Sequence, residues 1–243
     1  MRSNYTLPRL WLDHPLSGEI DLSRDHAHYL GTVLRKREGD QVRLFNAQDG
    51  EWSADIIDVG RKSMRLRIAE QLREPTTVPD IRLLFAPIRR HRTATLIEKA
   101  TELGVRTLQP VLTERTQYPK LNIERVKAQI IEAVEQTERL DLPAIHDVCE
   151  LDEVLDKTRP LIFADEAGDG EAVGHVLSGL FTPVDLLIGP EGGFTDAERS
   201  KLLALKTVHP VSLGPRILRA DTAAISLLTL VQAQIGDWLN ISE

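Results

Sequence analysis

The stretch Ile188-Gly189-Pro190-Glu191-Gly192-Gly193-Phe194-Thr195 decides the fold predicted for this chain of 243 residues. It follows an apolar run at residues 184–188, typical of a buried strand, and leads into Thr195-Asp196-Ala197-Glu198, a capping box that begins a helix. Glycines in such a turn let the backbone adopt positive φ and approach a ligand closely. Because ligands of open α/β sheets bind beyond the carboxyl ends of strands, this turn is a candidate binding loop. A tight turn without a ligand is the alternative interpretation.

A second informative stretch, residues 213–223, also joins a predicted strand to a predicted helix. Arg216 and Arg219 lie close to the helix start, where a cation is unfavourable to the helix dipole. Two arginines at this place therefore indicate that an anionic group, such as a phosphate or a carboxylate, is held there. The purely structural interpretation is that Asp221 or Thr222 caps the last helix.

In the rest of the chain after residue 80, short apolar runs typical of strands alternate with segments whose apolar residues have helical periodicity. Strands are predicted at residues 81–86, 108–112, 161–164, 184–188 and 209–213. Helices are predicted at residues 93–103, after a cap at Asn122, after Thr195, and at residues 221–235 with Gly236 beyond. This alternation predicts an α/β fold with a largely parallel sheet and helices on both faces.

The N-terminal part is predicted to be rich in β-structure. Residues 40–45, 52–59 and 63–68 have the pattern of strands, and Ser23 can cap a short helix that ends near residue 34. The prolines and small polar residues near residues 73–80 are typical of a linker. We therefore expect a small β-barrel over residues 1–73, a linker over 74–80 and an α/β domain over 81–243.

Composition excludes several classes of protein. Hydrophobic residues make up 42% of the chain, too many for a disordered protein. No apolar run approaches the roughly 20 residues of a membrane-spanning helix. Residues 1–5 lack the apolar core of a signal peptide, so a cytoplasmic protein without a membrane partner is expected. Cys149 is the single cysteine and the histidines form no ligand pattern, so no metal is expected.

The formal net charge of −7 argues at first against a nucleic acid as partner. The distribution of charge along the chain limits that argument to part of the protein. Residues 1–75 carry 12 basic and 12 acidic side chains, whereas residues 141–171 hold 10 acidic and 2 basic ones, a stretch we expect to be solvated. The arginines at positions 82, 89, 90 and 92 lie within eleven residues that contain no acid, which makes a local basic patch beside the linker.

Two further stretches, residues 98–105 and 132–139, are in isolation charged faces of helices. All four stretches together resemble the RsmE family, the 16S rRNA uridine-N3 methyltransferases of the SPOUT superfamily. The family elements Lys-x-x-Glu-Leu-Gly-Val, Glu-Ala-x-Glu-Gln-x-x-Arg, Ile-Gly-Pro-Glu-Gly-Gly-Phe and Leu-Gly-x-Arg-Ile-Leu-Arg match residues 99–105, 132–139, 188–194 and 213–219. Pro8-Arg9 and residues 28–40 match as well, so the resemblance covers nearly the whole chain. Two departures keep the charge: Asp221 replaces a Glu, and Arg89 replaces a Lys, that many relatives carry.

The resemblance implies S-adenosylmethionine (SAM) as methyl donor and N3 of a specific uridine in 16S rRNA of the small ribosomal subunit as target. It also implies a SPOUT-type α/β domain with a deep trefoil knot, an N-terminal PUA-like β-barrel that binds RNA, and a homodimer with the site at its interface.

Roles for individual residues follow from the resemblance and from the chemistry of the reaction. Arg219 is expected to stabilise the uridine anion or its phosphate, and Glu191 or Asp221 to accept the proton from N3. The expected cofactor-binding residues are Gly189, Pro190, Glu191, Gly192, Gly193, Leu213, Gly214, Ile217, Leu218 and Arg219. The expected RNA-binding residues are Arg9, Arg35, Arg89, Arg90 and Arg92, of which Arg35 also fits an exposed turn, Arg35-Lys36-Arg37.

Three other functions stay open at this point. A non-catalytic RNA-binding or ribosome-assembly factor would have a degenerate cofactor loop, against which the intact glycines argue. An α/β enzyme could bind a small phosphorylated substrate through Arg216 and Arg219, but it leaves the N-terminal barrel unexplained. The same fold could also methylate another RNA base.

Overall fold

The structure is a computed structural model, and it describes residues 6–155, 158–166 and 170–240. Two compact units are present, one formed by residues up to 77 together with 134–141, the other by residues 78–133 and 142–243. Residues 1–5, on which the expectation about a signal peptide depends, lie outside the described part of the chain. Asp156, Lys157 and Asp169 of the acidic stretch also lie outside it.

The first unit is built on a five-stranded sheet. Its strands are β1 (Arg9–Trp11), β2 (Glu19–Asp21), β3 (Gln41–Asn46), β4 (Gly50–Val59) and β5 (Met64–Arg73), in the order β1-β3-β4-β5-β2. Helix α1 (Arg24–His28) begins after Ser23, whose hydroxyl accepts a hydrogen bond from the His26 amide, and it continues as a π-helical turn, Tyr29–Val33. The three predicted strands and the capped helix are confirmed. Strands β1 and β2, each of three residues, were too short to predict.

Five charged side chains form a cluster in the first unit; Arg9, Arg43 and Glu51 are buried, and Arg73 and Glu138 are partly exposed. We call Arg9, Arg43, Arg73, Glu51 and Glu138 the buried arginine cluster. Arg9 Nε donates to Glu51 Oε1 at 2.6 Å, and Arg43 makes two hydrogen bonds to the Glu138 carboxylate at 2.8 and 2.9 Å. Burial acts to raise the pKa of Glu51, but hydrogen bonds from Arg73 and Arg9 outweigh it, so the pKa is lowered.

Arg9 therefore departs from its predicted role in RNA binding. Its guanidinium lies 4.0 Å from the ring centroid of Phe45 and donates to the main-chain oxygens of Val134, Glu135 and Arg139. The side chain is 2% exposed, so solvent and RNA do not reach it. Val134 and Glu135 belong to the last turn of helix α3 (Ile123–Gln136), and all three oxygens lie in the same unit as Arg9.

The second unit is a parallel sheet with helices. Its sheet runs in the order β11-β13-β10-β12-β6-β7-β8, and β9 pairs with β7. Every recorded strand pair in it is parallel, as the sequence predicted. The strands are β6 (Ile81–Phe85), β7 (Thr107–Leu112), β8 (Ala144–Ile145), β9 (Cys149–Glu150), β10 (Leu161–Ala164), β11 (Glu171–Ala172), β12 (Val184–Ile188) and β13 (Val208–Ser212). The helices are α2 (Arg90–Glu102), α3, α4 (Leu151–Val154), α5 (Val173–Leu177), α6 (Asp196–Leu203) and α7 (Ala220–Ile235), followed by a 3-10 turn, Asp237–Asn240.

The motif at residues 99–105 ends helix α2 and joins it to α7. Gly104 has φ +77°, and a Cβ there would lie 2.7 Å from Gln232 Nε2. The same Gln232 nitrogen donates to the Leu103 carbonyl at 2.6 Å. Lys99 keeps the expected surface role, since it bonds Glu98 and Glu102. The motif thus has two roles: it ends helix α2 against Gln232 of α7, and it presents a charged face to solvent.

No helix of the described chain combines the length and the apolar character needed to cross a membrane. Among the same described residues, no three His, Cys, Asp or Glu side chains are grouped so as to hold a metal ion.

Candidate functional site

A cleft of about 800 Å³ opens at the carboxyl ends of strands β10, β12 and β13 in the second unit. Its walls are the ends of these strands, the connections that follow them and the arginines at the start of α2. This is the place where open α/β sheets bind ligands, as expected for residues 188–195. The volume falls within the range of about 300–1,000 Å³ that is usual for small-molecule sites.

Two glycines give the loop after β12 its shape. A Cβ on Gly189 would lie 2.5 Å from the ring of Phe194, which itself packs edge-on against Phe163 with ring centroids 5.1 Å apart. Gly193 has φ +65°, and a Cβ there would fall 1.4 Å from Glu166 Oε1. The Gly193 amide donates to the Pro190 carbonyl at 3.0 Å, so the loop is a tight turn held in place. The sequence requirement for glycine therefore has a steric cause.

Helix α6 begins as the sequence predicted. The Thr195 hydroxyl accepts from the Glu198 amide at 3.2 Å, and the Glu198 carboxylate accepts from the Thr195 amide at 2.8 Å. These are the two reciprocal bonds of a capping box. The cap fixes the end of the glycine loop on the side away from β12.

The loop after β13 forms another wall of the cleft. Gly214 has φ +108°, and Ile217 is 90% exposed. Within the described chain, the amides of Arg216, Ile217 and Leu218 donate to no other main-chain group. Free amides and an exposed apolar side chain are what a loop that binds a ligand offers.

Helix α7 begins differently from the prediction. Arg219 is its N-cap residue, and no side-chain hydrogen bond caps the helix in the described chain. Asp221 lies in the first turn, where its Oδ1 accepts from the neighbouring Thr222 amide at 3.1 Å. The interpretation of Asp221 or Thr222 as the N-cap was therefore wrong by two or three positions, because the helix starts at Ala220 and Arg219 is its N-cap.

Charged side chains in the cleft are unevenly paired. Arg92 donates to Glu191 Oε1 at 3.0 Å and lies 4.0 Å from Asp221 Oδ1, so the two candidate proton acceptors meet at one guanidinium. The other cleft arginines, Arg89, Arg216 and Arg219, are exposed and pair with no carboxylate in the described part of the chain. The cleft therefore presents a surplus of positive charge in a protein of negative net charge.

Two acidic residues after β10 were missed by the sequence interpretation. Asp165 and Glu166 line the cleft, and Asp165 is bonded to Arg199 at 2.9–3.1 Å. Burial and the charge of Asp165 raise the pKa of Glu166, while the charge of Arg115 opposes the shift. Arg115 also donates to the Gly192 carbonyl at 2.9 Å. The position of Asp165 and Glu166 at the end of a predicted strand was the signal that could have found them.

The structure brings together most of the predicted cofactor residues. Those that line the cleft are Gly189, Pro190, Glu191, Leu213, Gly214, Ile217, Leu218 and Arg219. Gly192 and Gly193 lie in the turn beside it, and Asp221 lies next to Arg92. A cofactor of nucleoside size fits these residues, because the cleft has the volume and the amides of residues 216–218 are available.

The predicted RNA-binding arginines separate into different environments. Arg89 and Arg92 line the cleft, whereas Arg90, between them, faces another groove of the second unit. Arg35 is exposed and has φ 56°, which fits its alternative description as part of a turn. Arg9 is buried, so the basic surface predicted from sequence loses this member.

Comparison with known proteins identifies the family of this chain. A family model described as an RNA methyltransferase domain matches residues 74–232, and one described as an RNA methyltransferase PUA domain matches residues 22–69. The chain is 37% identical over 230 residues to the ribosomal RNA small subunit methyltransferase E of Rickettsia conorii, covering 92% of this chain and 94% of that protein. It is 33% identical to the protein of the same name from Synechocystis, covering 90% and 74% of the two chains.

Solved structures are similar over nearly the whole chain. A methyltransferase of Legionella pneumophila with bound SAM is 32% identical and has a TM-score of 0.84. The match covers 95% of this chain and 99% of the Legionella chain. A ribosomal RNA small subunit methyltransferase E of Neisseria gonorrhoeae has the same fold, with a TM-score of 0.82 over 96% and 99% of the chains at 24% identity. The resemblance found in the four sequence motifs is thereby confirmed. The chain belongs to the ribosomal RNA small subunit methyltransferase E family, with an N-terminal PUA-like domain and an α/β methyltransferase domain.

Proposed function

We propose that this protein transfers a methyl group from SAM to N3 of a specific uridine in 16S rRNA of the small ribosomal subunit. The observation that carries the proposal is the cleft, where a glycine loop and a wall with free amides lie beside three arginines without carboxylate partners among the described residues. The names of the relatives and the SAM bound in the Legionella structure support the same chemistry. The cytoplasm, where ribosomal subunits are made, is the expected location.

The main chain of the two loops would hold the cofactor. Amides of residues 216–218 suit a nucleoside with several hydrogen-bonding groups, and the main chain at Gly189 lines the same cleft. Glu166 also lines the cleft, so its carboxylate is a further candidate for a contact with the hydroxyl groups of the cofactor's ribose. When bound, SAM supplies an electrophilic methyl group attached to a positively charged sulfur.

The side chains then have to prepare the uridine. N3 carries a proton and is a poor nucleophile until that proton leaves. Arg219 would stabilise the negative charge that develops on the base, an effect often worth about 3–4 kcal/mol per donor in enzyme sites. Glu191 is the better placed proton acceptor, because it lines the cleft and Arg92 fixes its carboxylate at 3.0 Å. Asp221, beside the same guanidinium, is the second candidate.

The RNA would be held by exposed cations and by the PUA-like domain. Arg35, Arg89, Arg90 and Arg92 remain in the proposed RNA-contacting set, and Arg9 is removed from it because it is buried. Contacts between arginine and phosphate make affinity fall steeply as salt concentration rises. We expect RNA binding to show this dependence.

Two finer features complete the proposal. The first is a homodimer with the cleft at its interface, which is supported by the exposure of Ile217 next to the cleft. The second is a deep trefoil knot with a barrel-shaped PUA-like domain. The knot is supported by the position of β12 between β6 and β10, and by helix α7, which packs against both α2 and β12.

The experiment that tests the function combines binding and product analysis. Calorimetry with SAM should give a binding heat, and 16S rRNA from a strain lacking this gene should lack one N3-methyluridine that reappears on complementation. Absence of SAM binding would favour a non-catalytic assembly factor. A different modified base, located by mass spectrometry, would keep the fold and replace the target.

A further inference from the structure

A second groove lies in the α/β unit, apart from the cleft. It has a volume of about 730 Å³ and runs between the first turns of α2 and α3 and the segment that precedes α3. It shares no lining residue with the cleft among the residues that the structure describes. We call it the α2–α3 groove.

The first turn of α2 divides its cations between the two sites. Arg89 and Arg92 line the cleft, whereas Arg90 and His91 line the α2–α3 groove. Helical geometry explains the division, since residues three apart share a face and their neighbours point elsewhere. The arginines that sequence had grouped into one patch therefore serve two surfaces.

The groove is positively charged without compensation. Arg90, Lys120 and Arg125 line it, no acidic side chain belongs to its lining, and none of the three pairs with a carboxylate in the described part of the chain. Glu124, next to Arg125 in sequence, is bonded to Lys127 at 2.8 Å. Three unpaired cations in one groove of a protein with net charge −7 indicate an anionic partner.

An aromatic ring accompanies these cations. Tyr118 lines the groove and is 38% exposed. The segment that carries Lys120 ends at Asn122, whose side-chain oxygen accepts from the Arg125 amide at 3.0 Å and whose carbonyl accepts from the Val126 amide. The groove therefore combines three cationic side chains with a partly exposed aromatic ring, which is the combination that binds single-stranded nucleic acid through phosphates and stacked bases.

From these observations we propose that the α2–α3 groove binds a single-stranded segment of the substrate RNA outside the nucleotide that enters the cleft. Arg90, Lys120 and Arg125 contact successive phosphates, and the ring of Tyr118 stacks on a base. The proposal rests on the proposed function, which makes RNA the expected partner. It adds a binding surface that is separate from the cleft.

The test compares two charge-reversed variants of equal net charge. Lys120→Glu/Arg125→Glu changes the groove, and Lys127→Glu/Lys206→Glu changes two exposed lysines outside its lining. Fluorescence anisotropy with a labelled single-stranded RNA should show at least a tenfold loss of affinity for the groove variant only. The slope of log affinity against log salt should fall by about 1.4, since each phosphate contact on a single strand contributes about 0.7.

Tyr118 is tested separately. Tyr118→Ala should weaken RNA binding about fivefold or more at an unchanged salt slope, and Tyr118→Phe, which keeps the ring, should bind as the wild type does. Calorimetry with SAM should give wild-type affinity for every variant, because the cleft is untouched. Loss of SAM binding in the wild-type protein would count against the proposed function instead.

Two results would overturn the proposal. One is equal RNA affinity of the groove variant and its lysine control. The other is a change in oligomeric mass by light scattering in the groove variant alone with RNA affinity unchanged, which would assign the groove to a second copy of the chain.

Discussion

Arginine side chains have different environments and different roles in the two units of this protein. In the first unit, Arg9 is bonded to Glu51 within the buried arginine cluster, and its side chain is 2% exposed. In the second unit, Arg219 lines an open cleft and has no carboxylate partner in the described chain. The buried group has its partners within the protein, and the exposed one is left for an anionic ligand. An arginine in a family motif is therefore informative about function only once its burial and its partners are known.

The largest difference between the two regions should appear when one carboxylate is removed from each. Glu51→Gln should lower the free energy of unfolding by about 3–5 kcal/mol, because it leaves buried arginines without their charge partner. Glu191→Gln should lower it by at most about 1 kcal/mol, because the Glu191 side chain is 31% exposed against 2% for Glu51. Urea unfolding of both variants measures the difference. Equal losses would mean that the buried arginine cluster is not the stabilising feature described here.

A second pair of variants concerns the backbone that shapes the cleft. Gly193→Ala should cost about 1–2 kcal/mol of stability, because an L-residue is strained at φ +65° and its Cβ would displace the Glu166 carboxylate. Gly192→Ala should cost less than about 0.5 kcal/mol, because its Cβ would meet Arg115 Cβ at an ordinary 3.6 Å. Thermal unfolding separates the two. If Gly192→Ala proved the more harmful, the assigned loop geometry would be wrong.

The smallest expected effect is a contrast in pH dependence between two glutamates. The pKa of Glu166 is raised, so in the wild type it contributes stability below the ordinary glutamate pKa of about 4.3 and loses it as pH rises through its folded-state value. Glu166→Gln should therefore be slightly more stable than wild type at neutral pH, with the gain vanishing in acid.

Glu51 should behave in the opposite way. Because its pKa is lowered, its contribution is present above the ordinary value and is lost as pH falls through its folded-state value. The stability deficit of Glu51→Gln should thus shrink in acid. Unfolding curves of both variants between neutral and acidic pH check the two signs, and a neutral-pH loss of stability in Glu166→Gln would contradict the assigned shift.

Much of the second unit was predictable from sequence because its signals are local. The apolar run of β12, the capping box at Thr195, the packing of Gly189 against Phe194 and the positive φ of Gly193 are each determined by residues close together in the chain. They placed the cleft at the ends of parallel strands. Apart from β10, the short elements between residues 144 and 177 gave no such signal, since strands of two residues have no measurable periodicity.

The burial of Arg9 could not be predicted, because it depends on residues far away in the chain. Its main-chain partner Val134 is 125 positions distant, and Glu138, which bonds Arg43, has the left-handed φ of 63° that no local pattern announced. In isolation, the motif at residues 132–139 fitted a solvated ion-pair face equally well, yet Glu135 accepts from the Trp11 amide and Glu138 joins the buried arginine cluster. Long-range pairing of charges is the part of the fold that sequence patterns leave undetermined.

In place of the cofactor contact expected for Arg219 from its motif, we propose that the exposed side chains of the cleft arginines act on the RNA substrate and not on the fold or the cofactor. Replacing Arg219 with Ala tests it most directly, with SAM affinity measured by calorimetry and methyl transfer to small ribosomal subunits measured in parallel. We predict a rate reduced about 10²–10³-fold, as for loss of one oxyanion-stabilising donor, with SAM affinity changed less than about threefold. Equal losses in rate and in SAM affinity, or an unchanged rate, would contradict it.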